Sequence, residues 1–598
     1  MQSNQPANFD RDIHAEDYAG EYRSVRIDHE SLLCDSGRDY ESLDGQWRFA
    51  IDPYNTLLRA RWFAEVHDDG HGNPRPADYD WEHWKEMRVP SCWNTAAPEY
   101  RHYEGGVIYT RTFRYKPRDT TVGSPERVFL KIGAANYETV LFLNRTCLGT
   151  HRGGSTPFFV EITDSLSQDN RLILFVNNRR ESDQVPMDNT DWFNYGGLYR
   201  SVSLVRLPAT FIKRWSISLV RGSGFGKLHF ALETDGPQEV GKARLRIPGL
   251  DLERELAFTG GFGELEINAR PDLWSPETPT LYEVEVALEG GDRVSDKVGF
   301  REIRSSGERI LLNGKPIYLR GISCHEDSTR NGKAVTSAEI EQMFDLAKEL
   351  GCNFVRLAHY PHSELAARLA DERGVLLWEE IPVYWAIEFD NPGTYADAEN
   401  QLSELVLRDL NRASVVLWSV GNENPDTDAR LDFMSRLARR ARELDPTRLV
   451  TAACLWNRIE NRIADRLAEH LDVIGLNEYY GWYEGNFDDL AAFFRNSNPG
   501  KPVIVSEFGA GALAGTHGTV DDLFSEEHQR QVYEKQIAVI RESRYVAGLT
   551  PWILIDFRSP RRLNDYQRGY NRKGLVDADR TRRKLAFRTL RDFYSSLT

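Results

Sequence analysis

The 598-residue chain carries 75 Lys and Arg against 91 Asp and Glu, a formal net charge of −16, with 40% hydrophobic and 11% aromatic residues. This composition provides for buried cores and excludes an intrinsically disordered chain. The acidic balance argues against a nucleic-acid partner, which needs a basic face. No run approaches the ~20 apolar residues that span a bilayer, so no membrane-spanning protein is expected.

The N-terminus, MQSNQPANFDRDIHAED, has no basic start followed by an apolar stretch. The expected compartment is therefore the cytoplasm, or the periplasm or exterior if a leader once preceded it. Residues 1–207 are strand-rich: RVFLKIGAA, YETVLFLN and NRLILFVNN alternate or cluster β-branched and aromatic residues between Gly, Asn and Asp breakers. That texture predicts a jelly-roll sandwich. Residues 208–303 hold shorter strands with frequent turns, which suit an immunoglobulin-like sandwich. Across 304–598, apolar runs alternate with amphipathic helical patterns, such as KPIYLRGISCH before TSAEIEQMFDLAKELG with its Thr336–Glu339 capping box. Strands apolar on both faces demand burial on both sides, and eight strand–helix units predict a closed (β/α)8 barrel. Six scattered cysteines without a C-x-x-C spacing read as reduced, buried thiols.

In such barrels chemistry sits where the strands end. The expected strand ends carry His325, Glu326 and Asp327, then Arg356 and His359, Glu379 and Glu380, Asn422 and Glu423, Asn477, Tyr479 and Tyr480, Glu507, and finally Trp552 and Asp556. Glu423 and Glu507 close strands four and seven, which lie nearly opposite in an eight-stranded barrel. Such a pair can serve glycoside hydrolysis: one carboxylic acid protonates the leaving oxygen and one carboxylate attacks the anomeric carbon. Two strand-end glutamates in salt bridges would read the same way. Asn422 would reach a sugar 2-hydroxyl, Tyr479 one of the two carboxylates, and Arg356 would help keep a neighbouring carboxylate charged. Trp552 offers either a platform for a sugar face or a plug for the barrel floor.

Four segments in order carry a resemblance: NGKPIYLRGISCHED (313–327), NFVRLAHYP (353–361), NRASVVLWSVGNE (411–423) and SEFG (506–509). The chain resembles glycoside hydrolase family 2, the β-galactosidase, β-glucuronidase and β-mannosidase family, over nearly its whole length. The resemblance implies Glu423 as acid/base, Glu507 as nucleophile, a retaining double displacement, and no cofactor. It also implies His325 and His359 as ligands of ring hydroxyls. Homo-oligomers, dimers or tetramers, are common in that family.

GYNRKGLVD (569–577) resembles the Asn-x-Lys-Gly with which the family's glucuronidases bind a uronic acid carboxylate, through Asn571 and Lys573 here. A lysine ammonium and an asparagine amide suit the two oxygens of that group. DWFNYGGLYRSV resembles a stretch whose aspartate, Asp191, reaches into the site; NEYYGWYEG resembles a loop that brings Tyr483 there. Arg568 stands three positions before Asn571, where the glucuronidase arginine stands four before, and Glu478 replaces a basic residue. The expectation is an exo-acting β-glucuronidase acting on a small glycoside or oligosaccharide. The rivals are a β-galacturonidase, a β-galactosidase, or a carbohydrate-binding protein without turnover. The short loop STRNGKAVTS (328–337) hints at an open mouth for larger substrates. HDDGH (67–71) resembles a metal cluster only in composition.

Overall fold

Two antiparallel sheets pack face to face to form the jelly-roll. One has four strands in the order Tyr40–Ser42, Val202–Leu207, Arg127–Ile132, Phe158–Glu161; the other runs Thr146–Arg152, Glu138–Leu143, Asp169–Asn177, Gly106–Arg114, Gly45–Ile51, Lys85–Val89. Trp47, Tyr109, Leu130, Leu141, Leu174 and Leu204 fill the layer between them. The structure is a computed structural model and describes residues 25–34, 36–68, 74–76, 81–117, 126–289 and 291–597. The N-terminal stretch 1–24 and the last three residues of HDDGH, 69–71, lie outside the described residues.

Seven antiparallel strands between Phe211–Leu219 and Arg293–Val298 form the immunoglobulin-like unit. Alternation along Tyr282–Leu288 is clean: Tyr282, Val284, Val286 and Leu288 are buried and Glu283 is exposed, the period-2 signature of a half-buried strand.

Eight parallel strands then close into a barrel: β1 (Leu319–Cys324), β2 (Phe354–Leu357), β3 (Leu376–Glu380), β4 (Val415–Asn422), β5 (Leu449–Cys454), β6 (Ile474–Asn477), β7 (Val503–Glu507) and β8 (Val546–Leu549). Around it lie α1 (Ser337–Glu349), α2 (Glu364–Arg373), α3 (Pro392–Asp409), α4 (Asp428–Leu444), α5 (Phe487–Asn496), α6 (Glu526–Ile540) and α7 (Leu585–Ser595). Thr336 and Glu339 make the expected capping box at α1. Every residue of β4 is buried, as a strand walled on both faces requires. Among the described residues no helix is long and apolar enough to cross a membrane.

Two local departures from the sequence expectation stand out. The apolar run from Lys315 does not enter the barrel whole: Lys315–Pro316 joins Ile303–Ser306 and Arg309–Leu312 in a small antiparallel sheet. Pro316 has no N–H for a central ladder, so the barrel strand starts later. Ile303, Ile310 and Leu312 of that sheet pack with Trp274, Phe354 and Trp378 to seal the barrel floor. The crossover between β5 and β6 is a five-residue 3-10 turn, Arg466–His470, in place of an α-helix.

Helix α3 docks the jelly-roll. Its Asp397, Asn400, Gln401 and Glu404 are buried, each against a polar partner. Arg152 pairs with Asp397 at 3.2 Å, His29 N donates to Asn400, Gln401 donates to Val185 O, and His151 meets Glu404 at 2.9 Å. This anchoring sets the jelly-roll segment around Asp191 over the barrel mouth.

Asp556, expected among the mouth residues, belongs to the fold: its carboxylate meets the Lys584 ammonium at 2.7 Å with neither side chain exposed. Lys584→Met would leave the buried Asp556 carboxylate with Arg572, 3.4 Å away, as its remaining cation and destabilise the barrel by about 3 kcal/mol. Calorimetry should show a lower unfolding midpoint; an unchanged midpoint would refute this structural role.

Candidate active site

Strand alternation sorts the strand-end carboxylates. Glu380 points into the barrel, while Glu379 points outward toward Arg408 and Asp409 of α3. Glu326 pairs with Arg200 at 2.8 Å, and Asp327 accepts from the Arg558 backbone. Glu478 faces outward and accepts from Gln536 of α6 and from Tyr480 N; burial pushes its carboxyl up to about 8. The expectation of a mouth lined by the strand-end acids is corrected accordingly: Glu326, Asp327, Glu379 and Asp556 serve packing. The departure at Glu478 therefore lies behind the barrel wall.

Glu380, Glu423 and Glu507 remain, organised by Arg356. This guanidinium, wholly buried, donates to Glu507 Oε1 at 2.9 Å, to Glu380 Oε1 at 3.1 Å and to Asn422 Oδ1 at 2.7 Å. Tyr479 donates to the other Glu507 oxygen at 2.7 Å. Both Glu507 oxygens thus hold a donor suited to a charged carboxylate. His359 Nδ1 lies 2.7 Å from Glu380 Oε1 and its Nε2 4.0 Å from Glu507.

Glu423 has the opposite environment. It follows β4 in the left-handed region, φ +52°, its N–H bound to Ala453 O; such conformations in non-glycine residues collect at functional sites. The turn leaves the carboxyl at the mouth, where Trp385 Nε1 donates to Oε2 at 2.8 Å. Burial and then the Glu507 charge push the Glu423 carboxyl up to about 7, outweighing the Trp385 and Asn477 hydrogen bonds and the Arg356 charge. One carboxyl raised toward its protonated form beside one held by two donors is the kind of asymmetry that acid catalysis next to an attacking carboxylate requires.

Unused hydrogen-bonding capacity points into the same space. Asn422 accepts from Arg356 and Asn477 through its oxygen, while its Nδ2 is buried without a partner. His325 Nδ1 lies 3.1 Å from Tyr360 OH, and its Nε2 is buried and unpartnered. Burial, with the neighbouring His359, His362, Lys333 and Arg356, holds the His325 ring well below its ordinary range, hence neutral. Trp552 is at the mouth and not on the floor, stacked on His359 at 4.8 Å. The floor position belongs to Trp378, whose Nε1 donates to Glu380.

The predicted Asn-x-Lys segment closes one end. Asp191 accepts from Arg562 Nε (3.0 Å) and Nη2 (2.5 Å), Ser559 Oγ (2.8 Å) and Asn571 Nδ2 (3.0 Å). Those four donors fill the roughly four acceptor sites of a carboxylate, so Asp191 organises the loop. Lys573, 3% exposed, donates to Tyr483 OH at 2.6 Å, and Arg562 donates to the same hydroxyl at 3.0 Å. Although burial pushes the Tyr483 phenol up, these two cations hold it below its ordinary range. Among the described residues Lys573 has no carboxylate at ion-pair distance.

Arg568 is corrected: it is exposed, turned back onto Asp565 O. Arg562 occupies the cluster because the hairpin Phe557–Arg558 with Tyr570–Asn571, closed by Ser559 N to Gly569 O and Gly569 N to Arg562 O, folds it inward. Counting back from Asn571 could not find it. Trp192, packed against His325, His359 and Tyr384, and Trp385, on Glu423, also escaped the sequence reading. Only adjacency to Asp191 hinted at the first.

Three profiles match the chain in order: "Glycosyl hydrolases family 2, sugar binding domain" over residues 40–208, "Glycosyl hydrolases family 2" over 222–301, and "Glycosyl hydrolases family 2, TIM barrel domain" over 302–598. The chain belongs to glycoside hydrolase family 2, and the protein is a glycoside hydrolase. A β-glucuronidase of Paenibacillus borealis is 30% identical, over 94% of this chain and 97% of that one. A β-glucuronidase of Bifidobacterium dentium, solved with coumarin-3-O-glucuronide, superposes with a TM-score of 0.83 at 26% identity, covering 96% and 99%. A β-galacturonidase of Eisenbergiella tayi, bound to galacturonate, superposes at 0.80 with 25% identity, covering 95% and 99%.

Because the Glu507 charge raises the Glu423 carboxyl, replacing it with a neutral amide in Glu507→Gln should lower the Glu423 midpoint below about 7. Carbon-13 NMR titration of labelled glutamate measures this; an unmoved or raised midpoint would show that the two carboxyls are not coupled.

Proposed function

We propose that the protein is a retaining, exo-acting β-glucuronidase that removes a terminal β-linked glucuronic acid by double displacement. The observation that carries the substrate assignment is Lys573: a buried ammonium held by Tyr483, beside an Asp191 already matched by Arg562. That cluster contains two cations and one anion, and an uncompensated buried charge costs several kcal/mol. A sugar carboxylate supplies the missing anion, with Asn571 at its flank.

With the carboxylate at Lys573, the sugar extends over Trp552 toward the two glutamates. The free Nδ2 of Asn422 donates to the 2-hydroxyl, a contact that strengthens as the oxocarbenium-like transition state forms. His325, neutral, and His359 take ring hydroxyls. Glu507 attacks the anomeric carbon while Glu423 gives its proton to the departing oxygen. In the glycosyl-enzyme Glu507 no longer carries a charge, so Glu423, now a carboxylate, takes a proton from the water that frees the sugar. Tyr479 and Arg356 steady Glu507 as its charge disappears and returns. Acid catalysis requires protonated Glu423, so kcat/KM falls as pH rises through its midpoint near 7.

The galacturonide reading differs only at the C4 hydroxyl and has a bound galacturonate in a similar structure in its favour. Initial rates on aryl β-D-glucuronide, β-D-galacturonide and β-D-galactoside decide among the sugars, and the glucuronide is expected to be fastest. Lys573→Ala should cut kcat/KM on the preferred uronide about a hundredfold, the value of a charged hydrogen bond of about 3 kcal/mol. It should leave any galactoside rate nearly unchanged. A galactoside preference in the wild type would overturn the carboxylate site.

A further inference from the structure

The hairpin that completes the carboxylate clamp carries two consecutive arginines, and they part company. Arg562 turns inward to Asp191 and Tyr483. Arg561 turns the other way and lies over the Trp385 ring, its guanidinium carbon 4.7 Å from the ring centroid. Among the described residues Arg561 has no carboxylate at ion-pair distance and no hydrogen-bond partner. It is exposed.

Trp385 is a fixed support. Its N–H donates to Asn422 O at 2.9 Å and its O accepts from Asn424 at 2.7 Å; its ring stacks on Tyr384 at 4.5 Å. Its indole N–H is bound to Glu423. The acid that protonates the glycosidic oxygen borders the leaving group by necessity, so the ring hydrogen-bonded to that acid borders it too. The hairpin backbone beneath Arg561 is pinned on both sides by the Ser559–Gly569 and Arg562–Gly569 hydrogen bonds and by the Arg562–Asp191 pair. A guanidinium resting on an aromatic face keeps its N–H edges free for an anion in the ring plane.

We propose that Arg561 and Trp385 form a leaving-group subsite for an anionic sugar, so that the substrate is an oligosaccharide whose residue next to the terminal uronic acid carries a carboxylate or a sulfate. This rests on the reading of Glu423 as acid/base. The two anions on the substrate then meet two cations on one hairpin and its continuation: Lys573 on the terminal sugar and Arg561 on the next.

The test compares kcat/KM on an aryl β-glucuronide with three disaccharides that share a terminal β-glucuronic acid and differ in the second sugar: neutral, a uronic acid, or sulfated. The wild type is expected to favour at least one anionic disaccharide over the neutral one about tenfold at low salt, a preference that shrinks toward 0.5 M salt as exposed charges are screened. Whichever anionic arm carries the preference identifies the group. Arg561→Ala should remove the preference, lowering the anionic disaccharide far more than the aryl glycoside, and Arg561→Glu should reverse it. A preference that survives Arg561→Ala, no preference in the wild type, or an equal fall on neutral and anionic disaccharides would overturn the inference. If the aryl β-glucuronide is itself not cleaved, the reading of the first sugar fails instead.

Discussion

One buried guanidinium sets the geometry of the barrel mouth. Arg356 rises from β2 with no exposed surface and bonds to side chains or backbone on β3, β4 and β7. A buried cation survives only where its donors are matched, and here two carboxylates, an amide oxygen and a carbonyl do so. The consequence is directional. Glu507 and Asn422 face inward because Arg356 holds them, and Glu423, one residue on, is left with neutral donors, the Trp385 indole and the Asn477 amide.

From that asymmetry comes the division of labour proposed for the pair. Two glutamates differing by their neighbours alone stand as an anion braced by a cation and an acid raised by burial and by that same anion. The jelly-roll contributes the other constraint. Docked through polar contacts on α3, it sets Asp191 against the last barrel loop, and the loop folds around that carboxylate. Among the described residues Lys573 is then left without a carboxylate at ion-pair distance, and that is the ground for the proposed sugar carboxylate.

Much of this was legible in the sequence. Period-2 alternation and fully apolar strands distinguish sandwich from barrel, and motifs such as SVGNE and SEFG mark strand ends where side chains must meet. Other features depend on register or on tertiary partners. Glu379 and Glu380 are equivalent on paper; alternation sends one to Arg356 and the other to Arg408. Pro316 forbids the barrel strand that its neighbours suggest. Arg568 had the expected spacing to within one residue, yet hairpin closure presents Arg562. The polar face of α3 looks solvated until the jelly-roll covers it, and Trp385 carries no motif because its role comes only from touching Glu423.

The most direct test of the paired-glutamate account is to trap the glycosyl-enzyme. In a 2-deoxy-2-fluoro-β-D-glucuronyl fluoride the ring fluorine slows both steps while the departing C1 fluoride restores the first, so the glycosyl-enzyme accumulates and peptide mapping by mass spectrometry locates the sugar. The account predicts one sugar per chain, bound to Glu507 and absent from Glu507→Gln. A label on Glu423 or Glu380, or turnover with inversion and no trapped species, would contradict it.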